Sequence, residues 1–182
     1  TFELGTDATE KKVSVHIEYR ANGTGSSVWD AAVALAKYIE VSGIASGKCC
    51  LELGSGTGFL ALFAAALGAK TVILTDLEAC LPLLERNAKH SFCSDTRVLA
   101  LPWVHELPDE IPQDLDLILC ADCLLPYATH LFQPLHDTIL ALLLRHPKSV
   151  LLLAYEERMD CSGFFSLFYH HHNVHFSIHP IP

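Results

Sequence analysis

Eight consecutive residues, Leu51-Glu52-Leu53-Gly54-Ser55-Gly56-Thr57-Gly58, constrain this chain more than any others. They follow an apolar run that starts near Lys48 and precede a segment with helical apolar spacing. A strand that turns directly into a helix needs backbone conformations and close approaches that glycine alone supplies without strain. The dinucleotide fingerprint G-x-G-x-x-G would place its third glycine at position 59, but Phe59 stands there and the glycines fall at 54, 56 and 58. This spacing suits a nucleoside that lacks a pyrophosphate. Asp76 ends the next apolar run, 18 residues beyond Gly58, where a carboxylate can accept hydrogen bonds from both hydroxyls of a ribose.

The rest of the chain supports the same architecture. Apolar runs predict strands near 48–53, 71–76, 97–101, 115–121, 149–155 and 174–179, and helical spacing predicts helices near 57–67, 78–90, 128–145 and 162–170. Strands that alternate with helices and are apolar on both faces predict a mostly parallel, doubly wound α/β sheet of Rossmann-like class. Ahead of this core, Val13, Val15, Ile17 and Tyr19 alternate as on a half-exposed edge strand over 11–20. Trp29, Val33, Ala36, Lys37 and Ile39 recur at helical spacing up to Gly43. The 182 residues therefore read as one domain, with an N-terminal strand and helix extension over 1–47 and a core over 48–182 that is one strand short of seven.

Composition narrows the partners. The chain is 51% apolar and 18% charged, which excludes a disordered chain, and no apolar run reaches the roughly 20 residues that cross a bilayer. No secretory pattern opens it, and its seven cysteines, an odd number with several inside strand-like runs, fit a reducing compartment. The expected location is the cytoplasm, with the nucleus open. A net charge of −9 opposes a phosphate backbone and favours a cationic partner. Neither nucleic acid nor membrane is expected, and the protein is expected as a monomer.

Val28-Trp29-Asp30, Glu52 through Gly58, Thr75-Asp76-Leu77, Asn87, Pro102-Trp103, Ala121-Asp122-Cys123 and Tyr155-Glu156-Glu157-Arg158, in that order, resemble the family-16 seven-strand methyltransferases. That family consists mostly of protein-lysine N-methyltransferases, including the valosin-containing-protein lysine methyltransferase group. The resemblance runs from about residue 11 to 165. It implies a class I methyltransferase that uses S-adenosylmethionine, releases S-adenosylhomocysteine and acts on a protein presenting a lysine. Trp29, the turn Gly54-Ser55-Gly56, Asp76, Trp103 and Ala121 look like the cofactor contacts, and Gly58 and Leu77 belong to the same motifs. Glu52 can hold the ammonium of the methionine moiety or a neighbouring backbone group, or can cap a turn. The indoles of Trp103 and Trp29 can cover the adenine or simply pack. The family carries an acidic residue, two intervening positions and an aromatic after the fourth strand. Here Asp122 supplies the acid, Leu125 stands where the aromatic belongs, and Tyr127 follows Pro126.

Methyl transfer to an amine needs the uncharged nucleophile held in line with the departing sulfur. Asp122, at the carboxyl edge of the fourth strand, is expected to hold and orient the incoming ammonium, ahead of any role as general base. Tyr127 either offers its ring face to the cation or packs. Glu156 and Glu157 fit an acidic rim or a solvated strand end. Cys120 and Cys123 form C-x-x-C, and His170, His171, His172, His175 and His179 crowd the end of the chain, but no second cysteine pair completes a zinc site, and no metal is expected. No Gly-x-Ser-x-Gly elbow or phosphate-binding Gly-Lys-Ser/Thr is present, which disfavours a hydrolase and a P-loop NTPase. Methylation of another side chain or a small molecule, or a non-catalytic cofactor-binding or interaction module, remain the alternative readings.

Overall fold

A computed structural model describes residues 2–6, 12–19, 24–93, 95–103, 106–171 and 177. The chain opens with β1 (Phe2–Thr6) and β2 (Lys12–Val15), paired antiparallel in a two-stranded sheet of their own. This corrects the expected edge strand over 11–20. Only its first part is a strand, its partner is a strand that periodicity did not reveal, and it does not join the main sheet. Val15 and Ile17 are buried in the core while Tyr19 is exposed, so the alternation fails once the strand has ended.

Helix α1 (Asp30–Ser42) follows a short 3-10 turn at Thr24–Ser26 and ends in the left-handed Gly43, whose N–H donates to the Ile39 carbonyl at 2.9 Å. Its buried face, Ala31, Ala32, Leu35, Ala36 and Ile39, follows the helical repeat. The core then alternates β3 (Cys49–Leu53), α2 (Phe59–Ala66), β4 (Thr71–Asp76), α3 (Leu81–Ala88), β5 (Asp95–Ala100), β6 (Leu117–Ala121), α4 (Phe132–Arg145), β7 (Val150–Ala154) and α5 (Ser162–Ser166).

The five core strands are all parallel, in the spatial order β5-β4-β3-β6-β7. Helices cover both faces. Cys50, Val72, Leu74, Leu117 and Leu119 point to the face packed by α1, α2 and Leu84 of α3, whereas Cys49, Leu51, Leu53, Ile73, Ile118 and Cys120 point to the face packed by α4 and Phe164 of α5. This is the period-two alternation of a strand with an apolar layer on each side. It explains why β3, at the centre, reads as an unbroken buried run. The chain winds outward from β3 to β5 and then returns to β6 on the other side of β3. The carboxyl ends of β3 and β6 therefore flank a topological switch point, where open α/β sheets bind their ligands.

The strand positions agree with those read from the sequence, but several helix starts do not. The segment near 78–90 begins as a 3-10 turn at Glu78–Cys80, and the α-helix starts only at Leu81, with Pro82 in its first turn. The helix expected from 128 is a 3-10 segment at Pro126–Leu131, kinked at Ala128, and α4 begins at Phe132. The last helix is α-helical only to Ser166 and tightens to 3-10 over Leu167–His170. The described sheet has five strands against six expected, because the run at 174–179 falls almost wholly outside the described residues.

Candidate active site

The turn between β3 and α2 is built from three left-handed glycines, Gly54, Gly56 and Gly58, at φ +63°, +55° and +78°. Their neighbours crowd the space a side chain would need. A Cβ on Gly54 would lie 2.9 Å from Cys123 Sγ and 3.3 Å from Trp103 Cζ2, and one on Gly58 would lie 2.4 Å from Leu74 Cδ2. Gly58 thus lets α2 sit close on the sheet, while Gly54 brings the bare turn beneath an indole. The turn is locked to the end of β4: Ser55 N–H donates to the Thr75 carbonyl at 2.9 Å, and Thr75 N–H donates to Ser55 Oγ at 3.0 Å.

Asp76, the last residue of β4, sits beside this turn. Its Oδ2 accepts the Gly56 N–H and its Oδ1 accepts the Leu77 N–H, each at 2.7 Å. A carboxylate has about four acceptor lone pairs, so each oxygen keeps capacity for a hydroxyl donor. Leu77 continues in extended conformation with its side chain exposed. Glu52 is 3% exposed, under the start of α2, and its Oε2 accepts the Ala61 N–H at 3.1 Å. Burial pushes its carboxyl up to about 8, against the opposing pull of the Ala61 and Ser55 hydrogen bonds, with the nearby Asp76 charge adding to the rise.

The N-terminal extension closes one side of the turn. A Cβ on Gly56 would meet the Gly25 carbonyl oxygen at 3.3 Å, so the Thr24–Ser26 segment lies against it. The buried Asn87 of α3 fastens both pieces. Its Nδ2 donates to the Glu18 and Thr57 carbonyls at 3.0 and 2.8 Å, and its Oδ1 accepts the Glu18 N–H at 2.8 Å. Trp29, in extended conformation immediately before α1, and Trp103, just past β5, are both half-buried.

On the far side of the switch point, Ala121 ends β6. Asp122 follows at φ +56°, the one non-glycine residue with positive φ among the described residues. Its N–H donates to the Ala154 carbonyl at 2.8 Å, and its side chain is fully buried. Both carboxylate oxygens are engaged: Arg158 Nη1 donates to Oδ1 at 2.7 Å and Arg158 Nη2 to Oδ2 at 2.8 Å, while the Glu156 N–H reaches Oδ1 at 3.3 Å. Tyr127 lies on the 3-10 segment after β6 and is 66% exposed, and Leu125, at the position of the family's aromatic, is half-buried. Glu156 and Glu157 are exposed. The half-buried Cys123 thiol is held well above the usual thiol range, first by its hydrogen bond with Cys120 and then by desolvation, so it stays protonated and unreactive. Among the described residues no group of three or more His, Cys, Asp or Glu is placed to hold a metal ion; His172, His175 and His179 lie outside those residues.

The structure thus brings Glu52, Gly54, Ser55, Gly56, Gly58, Asp76 and Trp103 together around one turn and joins Trp29 to Asp122 through Arg158, while Tyr127 stands on the surface. Three contributors had no assigned role in the sequence. Cys123 fills the space beside Gly54, Gly25 covers Gly56, and Arg158 neutralises Asp122. The signal for the last was a single cation in the acidic run after β7, opposite a carboxylate on a buried strand end.

Residues 8–171 match the profile of a family described as lysine methyltransferase. The chain is similar to the Mus musculus protein N-lysine methyltransferase METTL21A, 33% identical over 153 residues that cover 81% of this chain and 68% of the relative. It is similar also to the Xenopus tropicalis EEF1A lysine methyltransferase 3, 36% identical over 126 residues, 67% of this chain and 54% of the relative. The chain therefore spans about half to two thirds of the length of these relatives. Among solved structures, the magnesium protoporphyrin IX methyltransferase of Synechocystis, with bound S-adenosylhomocysteine, superposes with a TM-score of 0.51 at 15% identity, over 75% of this chain and 59% of that one. The doubly wound sheet is the Rossmann-like fold of class I methyltransferases.

Proposed function

The chain belongs to the lysine methyltransferase family, and from that premise we propose that it moves the methyl group of S-adenosylmethionine onto a lysine side chain of a protein. The observation that carries this reading is the convergence of a side-chain-free glycine turn with Asp76 at the switch point of the sheet. The residues fit the cofactor. The turn offers bare backbone where a Cβ would clash, and the Asp76 oxygens already face the turn with acceptor capacity left for the two ribose hydroxyls. Glu52 ionises to hold the ammonium of the methionine moiety, Trp29 and Trp103 cover the adenosine, and Ser55, Leu77 and Ala121 complete the walls. The structurally similar Synechocystis enzyme, with S-adenosylhomocysteine bound, supports the same assignment.

S-adenosylmethionine supplies an electrophilic methyl group on a positively charged sulfur. The protein's own task is to present an uncharged amine in line with it, and lysine with a pKa near 10.4 is less than about 0.1% neutral at pH 7. Glu156 and Glu157 form an exposed acidic rim that draws in the ammonium. Asp122 sets the shape of the acceptor wall, and Tyr127 offers an exposed ring face to the cation on its way in. The proton leaves to water once the amine is desolvated. Alignment supplies most of the rate, since holding two reactants at attack distance is worth roughly 7–11 kcal/mol in the best intramolecular models.

The net charge of −9 supports a basic protein segment as partner rather than a nucleic acid. The seven cysteines, all free thiols, support a reducing compartment, the cytoplasm or the nucleus. The protein acts as a monomer in this reading, and no helix among the described residues is long and apolar enough to cross a membrane.

Calorimetric titration with S-adenosylhomocysteine, on the parent protein and on Asp76→Ala, tests the cofactor site. Micromolar binding is expected, weakened about 10- to 100-fold in the variant by loss of the charged acceptor. Tritiated methyl transfer into a cell extract, followed by mass spectrometry of the labelled proteins, tests the acceptor. Methyl-lysine is expected; label confined to histidine, another side chain or a small molecule would overturn the lysine assignment. Cofactor binding without label would leave a binding module.

A further inference from the structure

Arg158 lies four residues beyond β7, and no step above uses it. The edge of its guanidinium makes two parallel hydrogen bonds to Asp122, at 2.7 and 2.8 Å, and also donates to Glu156. Its Cζ lies over the indole of Trp29, 5.4 Å from the ring centroid. One side chain therefore touches the residue just before α1 and the residue just after β6, two walls that belong to different parts of the chain. The arrangement uses the property that most separates arginine from lysine, a rigid fork that matches a carboxylate, and places the same cation over an aromatic ring.

The Asp122 backbone depends on this contact. At φ +56° it occupies a conformation that a non-glycine residue keeps only when its surroundings hold it there. The Ala154 carbonyl holds its N–H, while Arg158 and the Glu156 N–H hold its carboxylate. The Arg158 side chain itself remains 25% exposed, at the mouth of the site rather than in the core. Because the Asp122 carboxylate is fully buried behind Arg158, an incoming ammonium does not reach it directly.

We propose that Arg158 is a positioning residue for methyl transfer. It ties Trp29, on the cofactor side, to Asp122, on the acceptor side, so that filling the cofactor site orders the wall against which the amine is aligned. The proposal rests on the assignment of Trp29 to the cofactor side made above. Since coupling between sites is reciprocal, a disturbance at Asp122 is felt in cofactor affinity only while the tie is intact.

The test is a double-mutant cycle between Trp29→Phe and Asp122→Asn, read as the dissociation constant of S-adenosylhomocysteine and run both in the parent protein and in an Arg158→Lys background. Coupling of about fivefold or more is expected in the parent, falling to within about twofold in Arg158→Lys, which keeps the charge and loses the fork. A residue that merely stabilised the fold would shift every affinity alike and leave the coupling unchanged. Should Arg158→Lys fail to fold by circular dichroism, Arg158→Gln replaces it as the background, and Trp29→Phe must then shift the affinity by the same factor, to within about twofold, with and without Asp122→Asn. Coupling that persists without the fork, or is absent from the parent, overturns the proposal alone. A parent protein that binds no S-adenosylhomocysteine overturns the cofactor reading and this proposal with it.

Discussion

At the scale of single residues, the buried carboxyl of Glu52 ties cofactor affinity to pH. Its folded-state pKa, raised from 4.5 to about 8, means that the folded protein keeps a proton that the unfolded chain gives up. This contribution to stability is therefore full below about pH 4.5 and declines as pH rises toward 8. An ammonium ligand favours the ionised form, so binding at pH 7 releases a proton. The affinity of the parent protein for S-adenosylhomocysteine, relative to Glu52→Gln, should rise by up to about tenfold per pH unit between pH 6 and 7.5, then level off near 8; a ratio flat with pH across this range would exclude Glu52 as the ammonium partner. Glu52 and Asp76 were legible in the sequence because a strand and its following turn fix their positions by local spacing alone. The engagement of Asp122 was not, since its partner Arg158 lies 36 residues away and reaches it only once β6 and β7 are side by side.

Among the elements, α2 carries the tightest requirement. It is buried almost all round, and it can approach the sheet because Gly58 has no side chain. Gly58→Ala combines a left-handed backbone with a Cβ 2.4 Å from Leu74 Cδ2, and should destabilise the protein by roughly 2–5 kcal/mol, lowering its melting temperature by roughly 5–15 °C in a calorimetric scan. An unchanged melting point would show that α2 can shift freely on the sheet. The parallel strands were readable because burial on both faces makes each an apolar run bounded by turn residues. Helix starts were less so. Pro82 and Pro126 sit in first turns, where their missing N–H costs nothing, and there the chain tightens to 3-10 before or instead of entering the α-helix that periodicity alone would extend. Of the β1–β2 pair, β1 is not legible in the sequence because Phe-Glu-Leu-Gly-Thr is short and contains a glycine, which weakens any strand pattern.

The molecule as a whole presents a net charge of −9 to its partner. Methyl transfer to a basic protein acceptor should therefore lose several-fold in kcat/KM between about 0.05 and about 0.3 M NaCl, mostly through KM, as screening shortens the reach of the acidic surface. A salt-independent KM would place recognition in short-range packing instead. The fold also gives one backbone amide an unusual vantage. Glu18 belongs to no strand, yet its N–H is bonded to the same Asn87 side chain that grips the Thr57 carbonyl in the glycine turn. Its hydrogen-exchange rate is therefore a clock for the turn, set by how often Asn87 lets go. Ligand bound at Gly54–Gly56 should slow exchange at Glu18, and Asn87→Ala should speed it toward the solvent rate, so this amide reports the state of a site that it does not touch.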